Sequence, residues 1–316
     1  MRRQEFTGML CLLLTAIIWG FSFVSQVSSM DAVSPLFFNA TRFTLGACSL
    51  VPVIALMRRG EGADTADRAD SPAERRSRRQ RTVATGMLCG VLLFAAGTLQ
   101  QYGILWGRSA GRAGFITALY IVLVPLFGLF LHRRVTALTG VSVIIALVGF
   151  YLLCVADGFD AINKGDLTVF LGAVMFAAHI LAIDTLGAKV EPIRMSFVQF
   201  ATTAALSWAG AAIEGSVDWT GAASSWVAIL YAGIASVGVA YTLQAVGQRQ
   251  VPPTRSAVIL SLESLFSAAG GALLLGETMT ARGYAGCALI FLGTILAQLP
   301  AKVPDALRRP DRRTMR

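Results

Sequence analysis

Arg42, His179 and Glu263 stand inside long apolar runs of the sequence, accompanied by amides and hydroxyls. Gln100 and Gln101 follow Thr98-Leu99, Gln199 lies among Phe and Val, and Gln244 closes Thr242-Leu243-Gln244. Side chains of these types support a definite chemistry. A guanidinium binds an anion, amides exchange hydrogen bonds with a polar solute, and a carboxylate or imidazole takes up and releases a proton. Covalent catalysis is poorly provided for. The two histidines are His132, beside Arg133 and Arg134, and His179. An intramembrane enzyme therefore stands as an alternative with few candidate groups. The cysteines Cys11, Cys48, Cys89, Cys154 and Cys287 all lie in apolar stretches without a Cys-x-x-Cys spacing, so they read as small apolar fillers and no metal site is expected.

These polar residues need elements that hold them in apolar surroundings. The chain is 55% hydrophobic and 14% charged, with mean hydropathy +0.64. A soluble domain carries about 25% charged residues, and one of this length cannot hide so much apolar surface, which makes the bilayer its solvent. Windows of about 19 residues mark ten spans: 8–27, 36–57, 83–106, 113–131, 136–155, 167–186, 194–213, 226–245, 256–275 and 281–299. The fold class is an all-α membrane protein. The first span follows Met1-Arg2-Arg3 and runs longer than a signal-peptide core, so it is expected to be retained.

With the N-terminus placed in the cytoplasm, 22 of the 27 lysines and arginines fall in cytoplasmic segments and four in outer ones. This is a positive-inside pattern. It places both termini in the cytoplasm and the protein in the cell's inner (plasma) membrane. It also accounts for the net charge of +9, so nucleic acid is not an expected partner. The Arg-rich segment 58–82 is expected to be a disordered cytoplasmic loop, either touching anionic headgroups or serving only as a topology signal. Residues 301–316 form a basic cytoplasmic tail.

The sequence also repeats. A shift of 144 residues carries Thr98-Leu99-Gln100 onto Thr242-Leu243-Gln244, Gly103 onto Gly247, Ala113 onto Ala257, Thr136 onto Thr280 and Gly149 onto Gly293. A shift of 157 carries Pro35 onto Pro192 and Phe43 onto Phe200. Residues 1–155 and 156–300 thus read as two repeats of five spans each. An odd number of spans inverts one repeat relative to the other. Inverted repeats are characteristic of secondary transporters, with a binding site near the midplane where the halves meet. A channel or a non-transporting scaffold is the other membrane reading; a channel calls for rings of carbonyls or charges around one pore.

Several segments resemble the EamA family of the drug/metabolite transporter (DMT) superfamily: Ile18-Trp19-Gly20-Phe21-Ser22-Phe23, Pro35 through Ala40-Thr41-Arg42-Phe43, Ala113-Gly114-Phe115-Ile116 through Pro125, Leu262-Glu263, and Leu275-Gly276-Glu277. Ser264 stands where the family usually has proline, and His132-Arg133 where it usually has a first Gly-Glu. The resemblance implies export or import of small solutes, such as amino acids, metabolites or drug-like compounds, by alternating access, without a cofactor.

The candidate solute cavity comprises Trp19, Ser22, Arg42, Gln100, Gln101, Tyr120, His179, Gln199, Tyr241 and Gln244, with Glu263 as the proton-coupling candidate. Each residue has a plainer reading. The glutamines also serve as interhelical glue, worth about 0.6–2 kcal/mol. Arg42, about 9 Å into its span at 1.5 Å per residue, can snorkel instead of binding an anion. His179 is either a packed neutral imidazole or a proton relay. Glu263 is either a functional carboxylate or an anchor to neighbouring backbone. Trp19 can be a helix contact and Tyr241 an interface aromatic. Gly86 and Gly90, and Gly103, Gly107 and Gly111, are spaced for close helix contact, within a monomer or in a weak homodimer. The partners expected are a small-molecule solute and the bilayer.

Overall fold

Residues 3–64, 71–130, 137–154, 163–187, 190–251 and 259–298 are described in the computed structural model, and every regular element among them is helical. The elements are α1 (Arg3–Ser29), α2 (Pro35–Asp64), α3 (Pro72–Gly107), α4 (Ala110–Ala118), α5 (Tyr120–Phe130), α6 (Ala137–Cys154), α7 (Lys164–Leu186), α8 (Pro192–Ile213), α9 (Trp219–Ser224), α10 (Trp226–Leu230), a π-helical segment (Tyr231–Ala240), α11 (Tyr241–Gln250), α12 (Glu263–Leu274) and α13 (Ala281–Gln298). Six helical segments are long and apolar enough to cross a membrane: Glu5–Ser29, Pro35–Met57, Ala73–Gly107, Ala110–Gly128, Lys164–Ile183 and Trp226–Gln244. Gly140–Leu153, Glu263–Leu275 and Ala281–Gly293 are shorter apolar helices. The protein is an all-helical membrane protein.

Local sequence explains the helix starts. Side-chain oxygens of Ser109, Asn163, Glu191 and Asp218 accept amide hydrogens of the first turns of α4, α7, α8 and α9, satisfying donors that a helix cannot satisfy itself. Between α3 and α4 the chain turns in two residues, with Arg108 left-handed at φ 51°.

The Arg-rich stretch departs from the expected disordered loop. Its described parts are helical: α2 continues to Asp64 and α3 begins at Pro72. A capping box explains the second start. The Glu74 amide donates to Ser71 Oγ at 3.3 Å and the Ser71 amide to Glu74 Oε2 at 2.8 Å. Pro72 suits the first turn, and the exposed arginines from Arg75 to Arg81 favour helix. His132, Arg133, Arg134, Thr136, Ala257 and the tail 301–316 lie outside the described residues.

Two apolar segments are broken. The segment from Ala110 is interrupted at Leu119, where the Leu119 amide donates back to Ile116 O at 3.2 Å. In the second half, Leu262 donates to Ile259 O at 3.2 Å just before α12. The breaks are 143 residues apart, close to the repeat shift. A third irregularity is the π-helical stretch from Tyr231 to Ala240. It lies against α2, where a Cβ on Gly233 would come within 2.7 Å of Leu45 Cβ and one on Gly238 within 2.2 Å of Ser49 Oγ.

The halves pack reciprocally. α3 packs on α7 as the helix from Trp226 to Gln250 packs on α1, α4 and α5 pack on α7 as α12 packs on α1, and α6 meets α13. Glycines fix these contacts by position. A Cβ on Gly103 would meet Val169 Cγ2 at 2.5 Å and Gly165 O at 2.8 Å, while one on Gly247 would meet Leu12 Cγ at 2.7 Å and Gly8 O at 2.9 Å. Leu12 and Gly8 are the residues that a shift of 157 carries onto Val169 and Gly165. Likewise Gly149 approaches Gly286 O and Ile290 N, and Gly293 approaches Ser142 O and Ala146 N; here a shift of 144 relates every pair. Gly86 and Gly90 lie against Val198 and Thr202 of α8, and Gly111 against Ala268 of α12, so these glycines make seams within the chain.

One end of the bundle is held by polar links between the halves. Arg112 Nη2 pairs with Asp166 Oδ2 at 2.5 Å, Tyr102 hydrogen-bonds Glu214, and Ser34 Oγ donates to Ser216 Oγ at 2.9 Å. Glu277 accepts from Ser109 Oγ at 2.8 Å, from the Ala110 amide at 2.6 Å and from the Gly111 amide at 3.2 Å. Its carboxylate thus caps α4 of the opposite half, where a negative charge meets the positive end of a helix.

Candidate functional site

Glu263 opens α12 at the break, 3% exposed, and its Oε1 accepts a hydrogen bond from Tyr120 Oη at 2.6 Å. Tyr120 in turn opens α5 at the other break. The two interruptions are therefore joined side chain to side chain across the halves. Tyr241 lies within electrostatic range of both Glu263 and Arg42. Its ring stands 4.8 Å from Trp19 and 5.5 Å from Phe200.

Arg42 is 5% exposed, so it is held inside the bundle and does not snorkel. Its guanidinium carbon lies 5.3 Å from the Phe38 ring centroid and 5.0 Å from that of Phe43, a cation–π arrangement. Nε is buried without a hydrogen-bond partner, and no carboxylate among the described residues pairs with Arg42. A fully buried arginine cannot shed its proton, so it needs a counter-charge from elsewhere.

Ser22, Gln26 and Gln101 form a second group. Gln101 Nε2 donates to Gln26 O at 3.2 Å and Gln26 Nε2 to Ser22 O at 3.3 Å. Their remaining atoms, Ser22 Oγ, Gln26 Oε1 and Gln101 Oε1, are buried without partners. Other candidates have partners on neighbouring helices. Gln100 Nε2 donates to Thr117 Oγ1 at 3.1 Å, tying α3 to α4. His179 Nε2 and Gln199 Oε1 are 3.1 Å apart, an interhelical pair between α7 and α8. Trp19 Nε1 donates to Ser236 O at 3.1 Å, and Thr15 Oγ1 to Ala240 O at 3.2 Å, both on the π-helical stretch. Gln244 is half-buried on α11.

Sequence reading missed Gln26, Asn39 and the Glu277 cap. Gln26 is four residues after Ser22, and Asn39 three before Arg42, so both share a helix face with a residue already singled out. The Glu277 cap left no local signal, because its partners lie more than 160 residues away.

The grouping can bind and orient a polar solute and hold a proton on Glu263. Among the described residues, no group of three or more His, Cys, Asp or Glu side chains is placed to hold a metal ion.

Comparison with known proteins places this arrangement. An uncharacterized transporter of Archaeoglobus fulgidus is 29% identical over 289 residues, covering 91% of this chain and 84% of its own length. The uncharacterized transporter YwfM of Bacillus subtilis is 22% identical, covering 94% of this chain and 96% of its own. A protein of known crystal structure, 23% identical, superposes with a TM-score of 0.61 over 92% of this chain and 96% of that one, which establishes a common fold. Two stretches, residues 6–155 and 163–299, each match the EamA-like transporter family. Together they take in both broken helices and nearly all of the helical bundle, and the chain belongs to that family of the drug/metabolite transporter superfamily.

Proposed function

We propose that the protein is a secondary active transporter of small solutes that works by alternating access. It carries ten spans in two inverted five-helix repeats and sits in the plasma (inner) membrane with both termini cytoplasmic. The observation that carries this reading is the Tyr120–Glu263 hydrogen bond, which joins two interrupted helices at pseudo-equivalent places. Interrupted helices from opposite repeats form the binding centres of such carriers. Reciprocal packing of α3 on α7 and of the Trp226–Gln250 helix on α1 supports the two-fold arrangement.

The solute site lies between the halves and is lined by Trp19, Ser22, Arg42, Gln101, Tyr120 and Tyr241. Gln244 faces it from the second half, while Gln100 and the His179–Gln199 pair hold its walls. Glu263 carries the coupling proton. On this topology the links from Arg112, Tyr102, Ser34 and Glu277 to the opposite half close the outer end. They break when the site opens outward.

Counterflow in proteoliposomes tests the reading. A carrier loaded with unlabelled solute accelerates entry of labelled solute and transiently concentrates it. A channel gives no such overshoot, and an enzyme returns a changed compound. Equilibration without overshoot for every solute that crosses would refute the proposal.

A further inference from the structure

Among the described residues, most buried polar atoms without a hydrogen-bond partner gather on three helices; the others are Ser207 Oγ and the Nε atoms of Arg112 and Arg194, whose side chains are otherwise engaged. Ser22 Oγ, Gln26 Oε1, Asn39 Oδ1, Arg42 Nε, Thr98 Oγ1 and Gln101 Oε1 all lie on α1, α2 and α3 of the first half. Each such atom costs free energy in an apolar interior unless something satisfies it. Five of these side chains are almost wholly buried: Ser22 is 2% exposed, Gln26 3%, Asn39 1%, Arg42 5% and Gln101 0%.

Gly97 brings them together. A Cβ placed there would lie 3.4 Å from Arg42 Nη2 and 3.9 Å from Asn39 Nδ2, so α2 presents both side chains to α3 at this residue. Gln101 is one helical turn further along α3, on the same face, and it is tied to Gln26 and so to α1. With glycine at 97, α3 sets no Cβ between its backbone and the guanidinium.

Among the described residues of the second half there is no such cluster. The residues at the positions of Ser22 and Arg42, after a shift of 157, are His179 and Gln199, and these satisfy each other. The buried charge and the cluster of open amide oxygens therefore lie in the first half, while Ser207 Oγ on α8 is an isolated open hydroxyl.

The composition of the set specifies its ligand. Its single cation is Arg42, and three of its open atoms are amide carbonyl oxygens, which only accept. We infer that Ser22, Gln26, Asn39, Arg42 and Gln101 form a subsite for a monoanionic carboxylate with a hydrogen-bond donor on the adjacent carbon. The carboxylate meets Arg42, and the donor, an ammonium or a hydroxyl, meets the amide oxygens. A dianion leaves one charge without a partner, and a cation places a like charge against the guanidinium. This inference rests on the reading that the solute binds between the halves.

Propionate, lactate and alanine differ only at the second carbon, which bears hydrogen, hydroxyl or ammonium. Thermal unfolding of the purified full-length protein is measured with each, and with ethylamine and malonate. Alanine or lactate is expected to raise Tm at concentrations at least about tenfold below those at which propionate does so, the factor expected for one charge-assisted hydrogen bond. Ethylamine and malonate are expected to give no shift at the same concentrations. Arg42→Gln should abolish the response and raise the Tm of the unliganded protein, because it removes an unpaired buried charge. Gly97→Val, which puts methyl groups into the space beside the guanidinium while keeping every polar group, should also abolish the response.

Equal protection by propionate, protection by ethylamine or malonate, absence of protection by any of the five, or a response that survives both substitutions would overturn the inference. Counterflow separates this failure from that of the transport reading. A protein that exchanges solutes in counterflow yet ignores Arg42 is a carrier with a different subsite.

Discussion

Tyr120 Oη and Glu263 Oε1, 2.6 Å apart, join the helix break of the first half to that of the second. Each lies one residue past a point where the backbone bonds back three residues instead of four. The carboxylate therefore sits where a small change in either broken helix alters its partners. On the proposed mechanism, this is the group that holds a proton on one face of the membrane and releases it on the other.

Glu263→Gln is expected to abolish accumulation driven by a pH gradient while keeping solute exchange, since the amide imitates the protonated acid. One proton crossing 100 mV carries about 2.3 kcal/mol, enough for a roughly fortyfold solute gradient at 1.4 kcal/mol per decade. Both activities are measured in the same proteoliposomes. Unchanged pH-driven accumulation would exclude Glu263 as the proton carrier, and joint loss would assign it to binding or structure.

Gln100→Ala is expected to lower thermal stability and leave exchange within about twofold of wild type. Its amide is bonded to Thr117, an interhelical bond worth about 0.6–2 kcal/mol in a membrane protein. Exchange lost at unchanged Tm would place Gln100 in the solute site instead.

The pseudo-symmetric glycine contacts should respond alike. Gly103→Val and Gly247→Val, at equivalent positions, each force a side chain into opposing backbone, within 2.8 Å of Gly165 O in one case and 2.9 Å of Gly8 O in the other. Overpacking of this kind costs about 1–3 kcal/mol. Gly140→Ala, with nothing within 4 Å of the added carbon, serves as the control and should not lower Tm, since alanine favours helix over glycine. A fall in Tm for one glycine of the pair and not the other would break the equivalence.

Topology is tested on a background lacking the native cysteines. Ser77→Cys is expected to react only from the cytoplasmic side and Asp218→Cys only from outside, both positions being exposed. The asymmetry of 22 basic residues against four motivates this assignment. Labelling of both from one side would remove the inverted arrangement.

Much of this was legible in the sequence because the bilayer imposes simple rules. Apolar length marks the six long apolar helices among the ten expected spans, and glycine pairs hold their register so strictly that a shift of 144 or 157 predicts which backbone each one meets. Arg42, Glu263 and Gln101 stood out as polar residues in apolar runs for the same reason. Pairing was not legible. Nothing in the local sequence distinguishes Gln100, satisfied by Thr117, from Gln101, whose oxygen is open, because the difference lies in which neighbouring helix each faces. The capping box before α3 was present in Ser71-Pro72-Ala73-Glu74, but the surrounding charges suggested a loop. The π-helical stretch lies where Gly233 and Gly238 meet α2, a tertiary contact without a local signature.

Ser34 and Ser216 test alternating access most directly. Their hydroxyls meet at 2.9 Å across the halves, so cysteines in their places can form a disulfide that holds that end shut. With Cys11, Cys48, Cys89, Cys154 and Cys287 replaced, the Ser34→Cys/Ser216→Cys protein is oxidised and assayed for counterflow before and after reduction. Alternating access predicts that counterflow is lost on oxidation and restored by reductant, with either single substitution unaffected. Counterflow at an undiminished rate in the fully cross-linked protein would contradict the account.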